Sequence, residues 1–152
     1  LNDDGMIKRK LPLDLDKKIN NIQVNTTDSE LNELLKLAFE HIFKADIKDR
    51  KYALEKIWDA FERIKTYYDE TNKKKSAKQL VNVISNGNKG FNELIDKEFR
   101  ELTDIGNNYH IRHFEKKSIP INEVNHLDFL FYRMVALISI CLNEITKHGG
   151  RE

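Results

Sequence analysis

Cysteine occurs once in the 152 residues, at Cys141 inside an apolar stretch. A single thiol closes no disulfide within the chain and supplies no multi-thiolate zinc site, so Cys141 reads as a small buried hydrophobe. Proline occurs twice and glycine six times, and all but Gly106 fall outside the long amphipathic runs. Such scarcity of breakers favours helices over a turn-rich sheet. Neither sign of charge dominates, since 26 Lys and Arg face 25 Asp and Glu. Bulk electrostatics therefore selects no polyanionic partner, and any such case must come from local clusters. Uninterrupted apolar sequence of bilayer-spanning length is missing as well. The best stretch, residues 127–145, is broken by Asp128, Arg133, Asn143 and Glu144. Nothing at the start resembles a signal peptide, so the expected molecule is soluble, cytoplasmic and off the membrane.

Common catalytic signatures are lacking too: no P-loop, no GxGxxG after a strand, no GxSxG and no HExxH. Of five histidines only His110 and His113 stand three apart, and a metal there would need a further ligand such as Glu115. Neither metal nor cofactor is expected.

What is present is helical periodicity. Residues 1–26 show no sustained period and read as an arm or a linker from a preceding region, with Pro12, Lys8-Arg9-Lys10 and alternating Leu11, Leu13 and Leu15. The start at Leu1 rather than Met points to the C-terminal piece of a longer protein. Residues 27–148 form the expected domain. Thr27, Asp28 and Ser29 all suit an N-cap before a helix with Leu31, Leu34, Leu35, Ala38 and Ile42 on one face. A second helix is predicted over 47–70 with Leu54, Ile57, Phe61, Ile64 and Tyr68 as its seam, Trp58 as a packing anchor, and Glu55, Lys56, Glu62 and Lys65 on a solvated face. A short helix ends near Ser85. A turn follows in which Gly87 and Gly90 suit positive φ. Helix four opens near Phe91 with Leu94, Ile95, Phe99, Leu102 and Ile105, and either ends at Gly106-Asn107-Asn108 or kinks there and continues. A last, very apolar helix starts near Asn125 or His126. The expected fold is all-α, an antiparallel bundle of four long helices plus one short one.

The densest polar segment is Asn107-Asn108-Tyr109-His110-Ile111-Arg112-His113. Such groups at a helix end can serve structure alone, because His and Arg favour the exposed carbonyls. They also suit metal-independent RNA cleavage. A histidine can remove the 2′-hydroxyl proton, and a guanidinium can stabilise charge on the phosphoryl oxygens. His113 and Arg112 supply those groups, with His110 and Asn108 as assistants and Asn107 and Glu115 as orienting partners. Neighbours on a regular helix diverge by about 100°, so both can face one phosphate only on irregular backbone or across two chains. The basic runs Lys73-Lys74-Lys75 with Lys78, Lys116-Lys117 and Lys8-Arg9-Lys10 are candidates for a phosphate backbone, each also readable as a solvated surface.

Ala53-Leu54-Glu55-Lys56-Ile57-Trp58-Asp59-Ala60-Phe61-Glu62-Arg63, the segment from Asn107 to Glu115, and Asp128-Phe129-Leu130-Phe131-Tyr132-Arg133 together resemble the C-terminal helical domain of bacterial abortive-infection proteins, a divergent HEPN-like domain. The resemblance covers roughly residues 30–145. It implies a four- to five-helix bundle, a homodimer formed through helices, a role in antiphage defence and metal-independent endoribonuclease activity or RNA binding. The family motif places an Arg, commonly a following polar residue, and then a His. His113 and Asn108 match the last two. Asn107 stands where the family has Arg, which leaves Arg112 as the candidate substitute. Some members are inactive, so a noncatalytic dimerisation or docking module, working with an N-terminal domain, is the alternative. A nucleotide-binding domain that uses Arg112 and the basic loops is a third.

Overall fold

The computed structural model describes residue 22, residues 24–112 and residues 117–148. Among these it holds five helices and no named strand: α1 Ser29–His41, α2 Ile47–Ile64, α3 Lys73–Ser85, α4 Lys89–Asn108 and α5 Val124–His148. The all-α expectation holds. The lengths are 13, 18, 13, 20 and 25 residues, so α3 is not the lone short helix. Most of the 1–26 arm lies outside the described residues, although Ile22 and Val24 pack against the core.

Local chemistry explains where the helices begin. Asp28 caps α1 by accepting the N–H groups of Glu30 and Leu31, each at 3.1 Å. Asp46, Asn72 and Asn88 cap α2, α3 and α4 in the same way. Between α3 and α4 the chain turns through Asn86 at φ 46° and Gly87 at φ 81°. Gly90 needs no such freedom, because Asn88 starts α4 earlier than Phe91 and Gly90 lies inside its first turn. The predicted end of α2 at Glu70 is also too late. After Ile64 the backbone tightens, with Thr66 N–H donating to Arg63 and Tyr67 N–H to Ile64, and Tyr68 lies beyond the helix.

α1 and α2 run antiparallel. Asp28 at the start of one meets Arg63 at the end of the other, at 2.6 Å, and His41 meets Asp49 at 2.9 Å. α2 lies at the centre, packed against α1 and α5, while α3 packs on α4 and α5. Leu54, Ile57, Trp58, Phe61 and Ile64 of α2 are fully buried, with Leu31, Leu35 and Ala38 of α1 and Leu127, Phe131, Met134, Ile138 and Cys141 of α5 around them. Burial pushes the Cys141 thiol well above its usual range. On α4 the apolar stripe is buried at Ile95, Phe99 and Leu102, but Leu94 is exposed.

By length and composition alone Val124–Lys147 is apolar enough to cross a membrane, contrary to the reading of its sequence as too interrupted. In this fold its apolar stripe is core, and Arg133 fastens it to α4 by bonding Glu98 through both Nε (2.7 Å) and Nη2 (2.9 Å).

α4 ends at Asn108, within the stretch where the first reading placed its end, although Gly106 is not itself the terminator. It sits buried inside α4, and a Cβ there would fall 2.5 Å from Cδ1 of Trp58. The Cδ1–Nε1 edge of the indole abuts this glycine, and Nε1 donates to the Leu102 carbonyl at 2.8 Å. Trp58 is therefore the anchor that sets how α4 crosses α2. It also fixes the place where α4 releases the polar segment.

Candidate functional site

α4 ends at Asn108, and Tyr109 leaves it with extended backbone, φ −106° and ψ 160°. The helix does not continue through Arg112. Residues 109–112 form a turn in which Ile111 N–H donates to the Tyr109 carbonyl at 2.8 Å. The returning chain closes it: His110 N–H donates to Ile119 O, and Ile119 N–H to Asn108 O, both at 2.9 Å. Ile111 and Ile121 are buried as apolar pegs on either side of this bridge. Pegged and bridged, the turn presents polar side chains from a defined backbone. Asn107 and Asn108 are exposed, and His110 is half-buried.

The guanidinium of Arg112 reaches back to α2. Its Nε donates to Oδ1 of Asp59 at 2.7 Å, and its Nη1 lies 4.0 Å from Oε2 of Glu62. The return strand has its own tether, Lys51 Nζ to Asn122 at 3.4 Å, two turns earlier on α2. His113, Glu115 and Lys116 lie outside the described residues.

Glu62 is the hub of a larger cluster. Lys65 bonds its Oε1 at 2.6 Å and Lys73, the first residue of α3, bonds its Oε2. Lys65 also donates to Thr103 on α4 at 2.8 Å and lies 4.5 Å from the centre of the Phe61 ring. Lys56 stands 3.8 Å from Asp59 and 3.3 Å from Glu55. Lys65 and Glu62 thus belong to an inner polar seam rather than to the solvated face expected from sequence. Their side chains are only 6% and 14% exposed. Burial raises the Glu62 pKa, but hydrogen bonds from Lys65 and Lys73 more than offset that and hold the carboxyl below its usual range. For Lys65 burial wins over its bond to Glu62, and the amine is held below its ordinary value.

Two of the candidate groups are therefore brought together. Arg112 and Lys73, 39 positions apart in sequence, share one carboxylate oxygen of Glu62. Lys74, Lys75 and Lys78 continue exposed along the start of α3, and Lys117 is exposed on the return strand. The first turn of α3 contains no acidic residue, so its lysines face the positive end of the helix dipole. Reading the sequence missed Asp59 and Glu62 as partners of Arg112, and Lys56 and Lys65 as the cations that share those carboxylates. The available signal was their spacing of three, Lys56, Asp59, Glu62 and Lys65, which lines them along one strip of α2.

Among the described residues, no three His, Cys, Asp or Glu side chains are grouped to hold a metal ion. Comparison with protein-family models, with curated proteins and with solved structures finds no match for this chain.

Proposed function

We propose that the chain is an RNA-binding domain of the HEPN-like, antiphage-defence class, acting as a homodimer, with metal-independent cleavage of single-stranded RNA as its reaction. One observation carries the reading: Arg112, in an irregular turn, converges with the basic start of α3 on the single carboxylate of Glu62. That arrangement puts a guanidinium and an ammonium from separate elements near one carboxylate oxygen, which supports a common anion for the two. A run of lysines at a helix N-terminus is unfavourable for the isolated helix, and a polyanion offsets it.

In the proposed reaction His113 takes the proton of the 2′-hydroxyl, and the freed oxygen attacks phosphorus. The P–O5′ bond breaks, the 5′-oxygen takes a proton from water, and a 2′,3′-cyclic phosphate remains. Arg112 stabilises the charge on the non-bridging oxygens, with Asn108 and His110 in support. The purified protein is expected to cleave single-stranded RNA in EDTA and to leave cyclic-phosphate ends. His113→Ala should abolish cleavage while the circular dichroism stays unchanged. Cleavage that survives His113→Ala would overturn the site.

The Asp59–Arg112 ion pair favours a second reading, in which the guanidinium is a strut and the domain is a noncatalytic docking or dimerisation module. Phe129 and Leu94, 62% and 57% exposed, would then be contact residues. That reading expects no turnover, and it expects Phe129→Ser to halve the mass in sedimentation without lowering the melting temperature.

A further inference from the structure

The cluster around Glu62 has two layers, and burial separates them. The inner pair, Lys65 with Glu62, is nearly sealed from water and is also tied to Thr103 of α4. The outer cations are not sealed: Lys73 is 49% and Arg112 28% exposed. Ion pairs that water reaches are weak and salt-sensitive, so a better-placed anion can exchange with their carboxylates. The cation count points the same way. Among the described residues Lys56, Lys65, Lys73 and Arg112 share Glu55, Asp59 and Glu62, four cations on three carboxylates. Arg112 makes a single bond among the described residues, through Nε to Asp59, whereas a guanidinium can offer a two-pronged fork to an anion.

We infer that the carboxylates of Asp59 and Glu62 act as internal surrogates for phosphate oxygens, holding Arg112 and Lys73 until single-stranded RNA displaces them. The inference rests on the RNA-binding reading above and adds its regulation: the unoccupied site is self-neutralised, and binding is an exchange of one anion for another. Lys65 keeps Glu62 in place through that exchange, so the hub survives while its outer cations turn outward. The exchange lowers affinity for short RNA and favours strands long enough to engage Lys74, Lys75 and Lys78 together.

The test uses the whole chain and a fluorescein-labelled 2′-O-methyl oligouridylate, which cannot be cleaved through its 2′ position. Affinity is read by anisotropy over a salt series. Asp59→Asn removes a charge at almost constant shape. It is expected to tighten binding severalfold at low salt and to steepen the dependence of log K on log salt by about 0.7, the increment for one further phosphate contact on a single strand. Adding Arg112→Ala to Asp59→Asn should remove both gains. If Asp59→Asn leaves affinity unchanged, or weakens it as Arg112→Ala does, Asp59 positions the arginine and the inference falls while RNA binding stands. If neither the parent chain nor any variant binds, the RNA-binding reading falls and takes the inference with it. A measurement independent of variant folding is the Arg112 Hε resonance of the parent chain. It should shift on titration with the same oligomer, and an unmoved signal at saturation overturns the exchange.

Discussion

Two arginines, Arg112 and Arg133, are about equally exposed, at 28% and 24%, yet they sit in opposite electrostatic settings. Arg133 joins α5 to α4 through a two-pronged bond to Glu98 and a further bond to Glu101. One cation there faces two carboxylates, and the hydrogen bonds it donates to Glu98 raise its pKa further above an already high value. Among the described residues Arg112 has one bond, to Asp59, and competes with three lysines for the neighbouring carboxylates. The first is a saturated clamp, whereas the second has donors to spare. Similar exposure does not mean similar availability; the ratio of anions to cations decides.

The largest effect that would break this contrast is at the hub. Glu62→Ala leaves the buried Lys65 ammonium without its partner and is expected to cost about 3–5 kcal/mol in urea denaturation. The same carboxyl predicts a pH effect. Its pKa is held below the ordinary value of 4.5, so its contribution is complete above that pH and disappears as acid protonates the folded state. Stability should therefore fall below about pH 4.5, and Glu62→Gln should flatten that limb.

Gly106→Ala comes next. The added methyl meets the Trp58 ring rather than a flexible chain end, and overpacking should destabilise by about 1–3 kcal/mol in thermal or urea unfolding. Because α4 would have to shift to admit it, the turn that carries Arg112 moves as well. Any RNA affinity should drop beyond what the lost stability explains.

Arg133→Lys should cost about 1 kcal/mol, the loss of one of two parallel charge-assisted bonds, with no change in RNA affinity. The smallest effect is expected from Asp59→Asn, under about 1 kcal/mol of stability, as for other ion pairs that water reaches. A large loss of stability there would mean that Arg112 is a clamp like Arg133, and the contrast would collapse.

How far the chain could be read without coordinates depended on whether the signal was local. Caps and stripes are local. Asp28 before Leu31 and Leu35, and Leu127, Met134, Cys141 and Ile145 at steps of seven or four, declare a helix start and a buried face by themselves. Gly106-Asn107-Asn108 marked the end of α4, as the first of the two readings had it, but glycine has two uses, ending a helix or admitting a neighbour, and only the position of Trp58 shows that Gly106 itself has the second. Lys65 was misplaced because its sequence neighbours are those of a surface residue. What buries it is Thr103 and α4, 38 positions away.

Sequence by itself determined that the described residues build helices, where most of those helices begin, and most of the apolar residues that form the core, because hydrogen-bonded turns and amphipathic stripes are set within a few residues of backbone. Only the tertiary structure decided that Arg112 faces Asp59, that Lys73 meets it at Glu62, and that Lys65 is sealed beneath them. Those are contacts between charges from different helices and a loop, and their strength depends on distance and burial that no spacing along the chain encodes.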